Sequence, residues 1–192
     1  MSNSEDVQVL PLLPLKNSVL FPNLLMPLSV GRPSSRAAVE AVLATEGKEM
    51  VIVAQRDSSK EEPQFEDLYN IGTRAIIKKM ARQSENHMEL IVLGVERVVI
   101  LRLEQSQPYL TARVRPYPLP DEKTPEVQAL HRAVIELAGR AIQLAQPSLP
   151  VEVSQFLSST DDPVRLAYLL GSMMSLELSK EQALLEAATP GE

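Results

Sequence analysis

The chain has 192 residues, 44% of them apolar, with no cysteine, no tryptophan and a formal charge of −6 from 19 basic and 25 acidic side chains. That length holds one domain or two small ones around an aliphatic core. The absence of cysteine excludes disulfides, Cys-ligated zinc and thiol nucleophiles, and suits a reducing cytoplasm, the expected location.

The first apolar segment, residues 10–28, carries prolines at 11, 14, 22 and 27. Proline lacks the N–H that a sheet ladder needs, so it is confined to edges, strand starts and bulges. The segment reads as a strand that repeatedly leaves its sheet. Phe21, Leu24, Leu25, Met26 and Leu28 cannot all point inward if side chains alternate, so partial exposure is expected. An early helix follows, with Ser34 and Ser35 as caps, an apolar stripe of Val39, Val42 and Leu43, and Gly47 as its stop. Met50–Gln55 and Ile71–Met80 read as strands. Residues 88–93 and 97–103 read as two more, with Gly94 at the turn between them. Leu110, Ala112 and Val114 alternate with polar neighbours in a last one. About six short strands with one early helix indicate a small, largely antiparallel barrel or sandwich.

The proline-rich stretch Arg115–Pro120 predicts a semi-rigid linker, giving domains 1–118 and 119–192. The acidic surplus lies after it: residues 1–118 carry 14 basic and 14 acidic groups, residues 119–192 carry 5 and 11. The period then becomes helical. Thr124 caps, Pro125 opens, and Val127, Leu130, Val134, Leu137, Ala141 and Leu144 form a stripe for about five turns. Pro147 and Pro150 end this helix, a short helix covers 151–158, and Asp162 with Pro163 opens another. Ser179–Gln182 is a capping-box pattern that starts a last helix, expected to be cut short at Glu192.

Chemistry is sparse. Gly47-Lys48 lacks the glycines and hydroxyl of a phosphate loop. His87 and His131 have no evident partner in sequence for base catalysis, and two separated histidines make a poor zinc site. The carboxylate pairs suit turns and caps. No catalytic, cofactor or metal residue is expected. Lys78-Lys79 is too short a basic run for nucleic acid, and no apolar run approaches the ~18 residues of a membrane span.

One set of motifs is specific. Leu10-Pro11-Leu12-Leu13-Pro14-Leu15-Lys16-Asn17-Ser18-Val19-Leu20-Phe21-Pro22 precedes Pro27-Leu28-Ser29-Val30-Gly31-Arg32. Val51–Asp57, Asp67–Thr73, Val92–Arg97 and Tyr109–Ala112 follow in order. Together they resemble the N-terminal domain of Lon, the ATP-dependent protease family, over residues 8–188. The resemblance implies an α+β fold: a PUA-like β pseudo-barrel followed by a helical subdomain that leads into a connector helix. It implies a non-catalytic domain that recognises exposed apolar segments of misfolded or tagged proteins and assists assembly of a homohexamer. ATP, Mg and the Ser-Lys protease pair belong to other domains of such a parent. Expected partners are unfolded or damaged proteins and other Lon subunits. Expected contact residues are Phe21, Leu24, Leu25, Met26, Leu28, Arg32, Pro33 and Ser34, although Pro33-Ser34 departs from the charged pair usual in that turn. A free-standing binding module of the same fold is the alternative.

Overall fold

A computed structural model describes residues 7–84, 86–145 and 161–192. Six strands form one mixed sheet: β1 (Gln8–Leu15), β2 (Leu25–Val30), β3 (Glu49–Ala54), β4 (Ile71–Ser84), β5 (His87–Gln105) and β6 (Thr111–Pro116), ordered β2-β5-β4-β3-β1-β6. β1 and β3 run parallel, and the other pairs are antiparallel. β6 pairs with both β1 and β5, so the hydrogen bonding passes from β5 through β4, β3, β1 and β6 back to β5. This is the α+β arrangement expected, with one parallel pair in an otherwise antiparallel sheet.

The central strands are buried on both faces, which is why Met50–Ala54 is an unbroken apolar run rather than an alternating one. Leu13, Met50 and Ile52 face one core with Val39 and Val42 of helix α1 (Pro33–Leu43). Leu12, Val51 and Val53 face a second core with Val98, Ile100, Ala112 and Val114.

Several expectations are corrected. The proline-rich segment forms two strands, β1 and β2, rather than one. Residues 88–93 and 97–103 belong to the single strand β5, and Gly94 is no turn. It lies where β5 passes the 20–24 loop, and a Cβ there would sit 2.3 Å from the Phe21 carbonyl oxygen. The early helix starts at Pro33 with Arg32 as its N-cap residue, so Ser34 and Ser35 lie inside the first turn and cap nothing. It ends at Leu43 with Ala44 as C-cap, and the left-handed residue beyond is Lys48 (φ 49°), not Gly47.

The chain groups into two compact units. Met1–Pro118 with Ser175–Glu186 forms the first, and Leu119–Met174 with Ala187–Glu192 the second. Helix α4 (Leu178–Glu186) therefore belongs with the sheet. Its Gln182 donates to the Ile71 carbonyl at 2.9 Å, and its Glu181 carboxylate accepts from the Val19 N–H at 3.3 Å. α4 starts at Leu178, one residue before the expected Ser179 cap, and it ends at Glu186 rather than being cut at residue 192.

The second unit contains α2 (Pro125–Ala145) and α3 (Pro163–Met173). Their starts match the sequence: Thr124 Oγ1 accepts from Val127 N, and Asp162 Oδ1 accepts from Val164 N at 2.9 Å and Arg165 N at 3.2 Å. The expected stripe on α2 does not form a buried face. Val127 is buried, but Leu137 is 63% and Leu144 85% exposed, while His131, Ile135 and Ala138 are half-buried. The expected Pro147 and Pro150 stop and the 151–158 helix fall outside the described residues.

Candidate functional site

Of the eight expected contact residues, the three on β2 (Leu25, Met26 and Leu28) divide by strand parity. Phe21 and Leu28 are core residues, which corrects the expectation of exposure for both. Phe21 is fully enclosed where its backbone meets Gly94, and Leu28 points into the core under α1. Met26 shares that inward parity and packs on the core rim. Leu24 is half-buried. Leu25 points the other way and is 63% exposed.

Leu25 does not stand alone. β2 pairs with β5 in the register Leu25↔Leu93 and Pro27↔Ile91, and β5 pairs with β4 as Leu93↔Ile76 and Ile91↔Lys79. Directly opposed residues share a face. The outer face of β2, β5 and β4 thus gathers Leu25, Pro27, Ile91 (38% exposed), Leu93 and Ile76, bordered by Lys79. The sequence placed Ile76, Ile91 and Leu93 within strands, with nothing to put them on one face. Only the register shows that they meet Leu25.

β2 is the edge of the sheet, and its edge is blunted. Gly94 N–H donates to the Leu24 carbonyl at 3.0 Å, and continuing that alternation along an antiparallel ladder puts Met26 and Leu28 at the bonded positions opposite β5. The main-chain groups of Leu25, Pro27 and Ser29 then face away from the sheet, and Pro27 has no N–H to offer at the middle of that edge. Apolar side chains, rather than an added strand, are what this surface offers a partner.

A cleft of about 310 Å³ lies nearby, lined by Leu13, Pro14, Leu15, Lys16, Leu28–Arg32 and Ser35. Arg32 organises it. β6 leaves β1 after Leu12, whose N–H donates to the Leu110 carbonyl. The next carbonyl on that side, Pro14, has no strand partner, and Arg32 Nη2 donates to it. Pro14 has no N–H to orphan. Arg32 Nη1 also donates to Oε1 of the fully buried Gln55 at 2.8 Å and to the Glu61 carbonyl at 3.3 Å. Gln55 in turn donates to the carbonyls of Asp57 and Lys60, holding the 57–60 turn. Half-burial pulls the Arg32 guanidinium below its ordinary range, and nearby Glu61 opposes this. Lys16 pairs with Glu61 at the rim. Pro33 and Ser34 shape the first turn of α1.

The Pro-x-x-x-Gly-Arg pattern (Pro27 to Arg32) is therefore first a structural device. Arg32→Ala should cost about 2–4 kcal/mol, because it leaves the Pro14 carbonyl and Gln55 Oε1 unsatisfied. Arg32→Lys should recover little of this, since one ammonium cannot copy the fork. Urea unfolding of the three proteins checks both statements.

His87 gains partners that the sequence did not show. Its Nε2 lies 2.7 Å from Ser29 Oγ and 3.0 Å from Glu89 Oε1. A catalytic triad needs the hydroxyl and the carboxylate on opposite ring nitrogens. Here both meet the same nitrogen, so the cluster ties β2 to β5 and does not compose a triad. Among the described residues no cluster of potential ligands could hold a metal ion, and no helix is long and apolar enough to cross a membrane.

The architecture matches that of Lon N-terminal domains. The N terminal domain of a Mycobacterium avium complex Lon protease superposes with a TM-score of 0.78 at 22% identity, covering 95% of this chain and 92% of that one. A Lon N-terminal domain protein from Xanthomonas campestris gives 0.65 at 20% identity, with the same coverage. Residues 9–192 match the family described as the ATP-dependent protease La (LON) substrate-binding domain, and the chain belongs to that family. Among full-length relatives, Lon protease of Nitrosococcus oceani is 48% identical over 179 residues, which is 93% of this chain and 23% of that protein. Lon protease 2 of Myxococcus xanthus is 36% identical over 189 residues, 96% of this chain and 22% of that protein. The chain thus spans under a quarter of the length of these relatives.

Proposed function

We propose that this domain recognises exposed apolar segments of misfolded or tagged proteins for an ATP-dependent Lon-type serine protease in the cytoplasm, and assists assembly of its oligomer. ATP, Mg and the proteolytic residues would lie in other domains of the parent. The observation that carries the reading is the apolar outer face of Leu25, Pro27, Ile76, Ile91 and Leu93 beside a blunted sheet edge. Phe21 and Leu28 are withdrawn from the contact set because the core holds them. Leu24 and Met26 remain at its margin.

The energetics favour a weak grip. Burying each Leu-sized anchor gains roughly 1.5–3 kcal/mol. Ordering a floppy segment costs about 2–5 kcal/mol. Two or three anchors leave a small surplus, and several copies in one oligomer would raise avidity by about 10²–10⁴.

Leu25→Asp tests this. The side chain already faces water, so stability should change by no more than about 0.5 kcal/mol. Affinity for a permanently unfolded protein should fall by about tenfold, as expected for the loss of one anchor at the low end of that range. Titration of the labelled domain with reduced, alkylated substrate gives the affinity, and a thermal melt gives the stability. Unchanged affinity with an unchanged melt would remove this face from substrate recognition.

A further inference from the structure

The cleft at the start of α1 has a polar floor that the apolar outer face does not use. Arg32 is the N-cap residue but provides no side-chain cap, and the first bond of the helix runs from Arg36 N–H to the Arg32 carbonyl. The Ser34 and Ser35 N–H groups at this N-terminus therefore lack a partner among the described residues. Ser35 is only 5% exposed, lines the cleft, and its hydroxyl has no hydrogen-bond partner among the described residues. Arg32 spends three of its five donors on Gln55, Pro14 and Glu61, leaving two for a ligand. The charges near the cleft are Arg32 and Lys16 against Glu61, with Glu62 lining a smaller adjoining cavity of about 80 Å³. The apolar side of the cleft is formed by Pro14 and the half-buried Leu15, over Leu13, Leu28 and Val30, whose side chains are held in the core.

We propose that this cleft binds the free C-terminal carboxylate of a polypeptide that ends in an apolar residue. A guanidinium edge, a helix N-terminus and an unpartnered hydroxyl together recognise a carboxylate. In a chain end the carboxylate and the last side chain leave the same Cα, so the acid can meet the polar floor while the side chain meets the aliphatic wall. An interior acidic residue holds its carboxylate on its own side chain and brings no apolar group with it. The inference rests on the reading of this domain as a grip for non-native polypeptides, and adds a second, end-specific contact to it.

The test uses the 192-residue chain, ¹⁵N-labelled, with an N-acetylated hexapeptide whose last two residues are leucine. The peptide is supplied as the free acid and as the C-terminal amide, and octanoate is a third ligand. The free acid should bind at least tenfold more tightly than the amide and shift the Ser34 and Ser35 amide signals. Ser35→Ala, which removes one oxygen and keeps the packing, should cut that preference to about threefold or less. Equal binding of acid and amide, with shifts confined to Leu25 and Ile91, overturns the carboxylate site and leaves the apolar-face reading standing. A preference that survives Ser35→Ala intact overturns it as well. Octanoate binding as tightly as the free acid overturns the assignment to chain ends. Failure of both peptides to bind anywhere overturns this site and the apolar face together.

Discussion

Gly94→Ala should unfold this domain more readily than any other one-methyl change in the sheet. The Cβ would lie 2.3 Å from the Phe21 carbonyl oxygen, 3.0 Å from its carbonyl carbon and 3.2 Å from Pro22 Cα. All three are backbone atoms, so no rotamer change relieves the contact. The contact is also bonded in place: Asn23 N–H donates to the Gly94 carbonyl at 2.9 Å, and Gly94 N–H donates to the Leu24 carbonyl at 3.0 Å. Either β5 or the 20–24 loop must retreat, and both bonds weaken as it does. Phe21 anchors that loop in the interior, and Thr73 Oγ1 donates to the Leu20 carbonyl at 2.6 Å beside it. Overpacking against backbone together with two weakened bonds predicts a loss of about 3 kcal/mol or more. For a chain of this size that is a fall in Tm of roughly 6–12 °C. Gly139→Ala is the matched control. It lies in α2 with nothing within 4 Å of the new methyl, and should raise stability by about 0.5–1 kcal/mol through helix propensity. Thermal and urea unfolding of both variants would show opposite signs. A Gly94→Ala protein as stable as the parent would mean that the 20–24 loop is not held against β5.

Arg97→Ala should have the second large effect, and a local one. The side chain is 4% exposed. Its Nε donates to the Tyr117 carbonyl at 3.1 Å and its Nη1 to the Leu185 carbonyl at 2.8 Å. The guanidinium also lies over the Tyr117 ring, 4.7 Å from its centroid. One residue of β5 thus pins the end of the β6 segment and helix α4 to the same strand. Removing it leaves two enclosed carbonyls without their charged donor, a loss of about 3–5 kcal/mol. Arg97→Lys keeps the charge but loses the fork and the flat stacking, and should retain less than half of the lost stability. The distinguishing readout is hydrogen exchange. Amides of 178–186 should lose protection first while those of β4 keep theirs, because α4 is then held mainly by Gln182 and Glu181. Uniform loss across sheet and helix would show that α4 is not separately pinned.

Both residues were visible in the sequence and misread there. Gly94 between two β-branched runs looked like a turn, since glycine marks turns more often than close crossings. What fixes it here is the Phe21 backbone, 73 positions earlier in the chain, which no local pattern reports. Arg97 read only as the first residue of a strand and the last of a family motif. Its burial follows from α4, which returns to the sheet only after residue 174. Similarly, the period of α2 matched its start but not its inward face, because apolar residues occupy two adjacent stripes and packing chose the one through His131 and Ile135.

What the sequence determined by itself was local and periodic: the strand runs at 50–55, 71–80 and 110–115, the starts of α2 and α3 at Thr124 and Asp162, and the ordered motifs that mark the family. Each depends on residues within a turn or a pleat of one another, where sterics and capping act directly. What only the tertiary structure decided was which side of each strand met what. Strand parity put Leu25 in water and Leu28 in the core, and the pairing register brought Ile91 and Leu93 beside Leu25. The departure of β6 from β1 turned Arg32 from a surface contact into the donor for Pro14 and Gln55. A one-residue change of register exchanges the two faces of a strand, and register is set by partners distant in sequence.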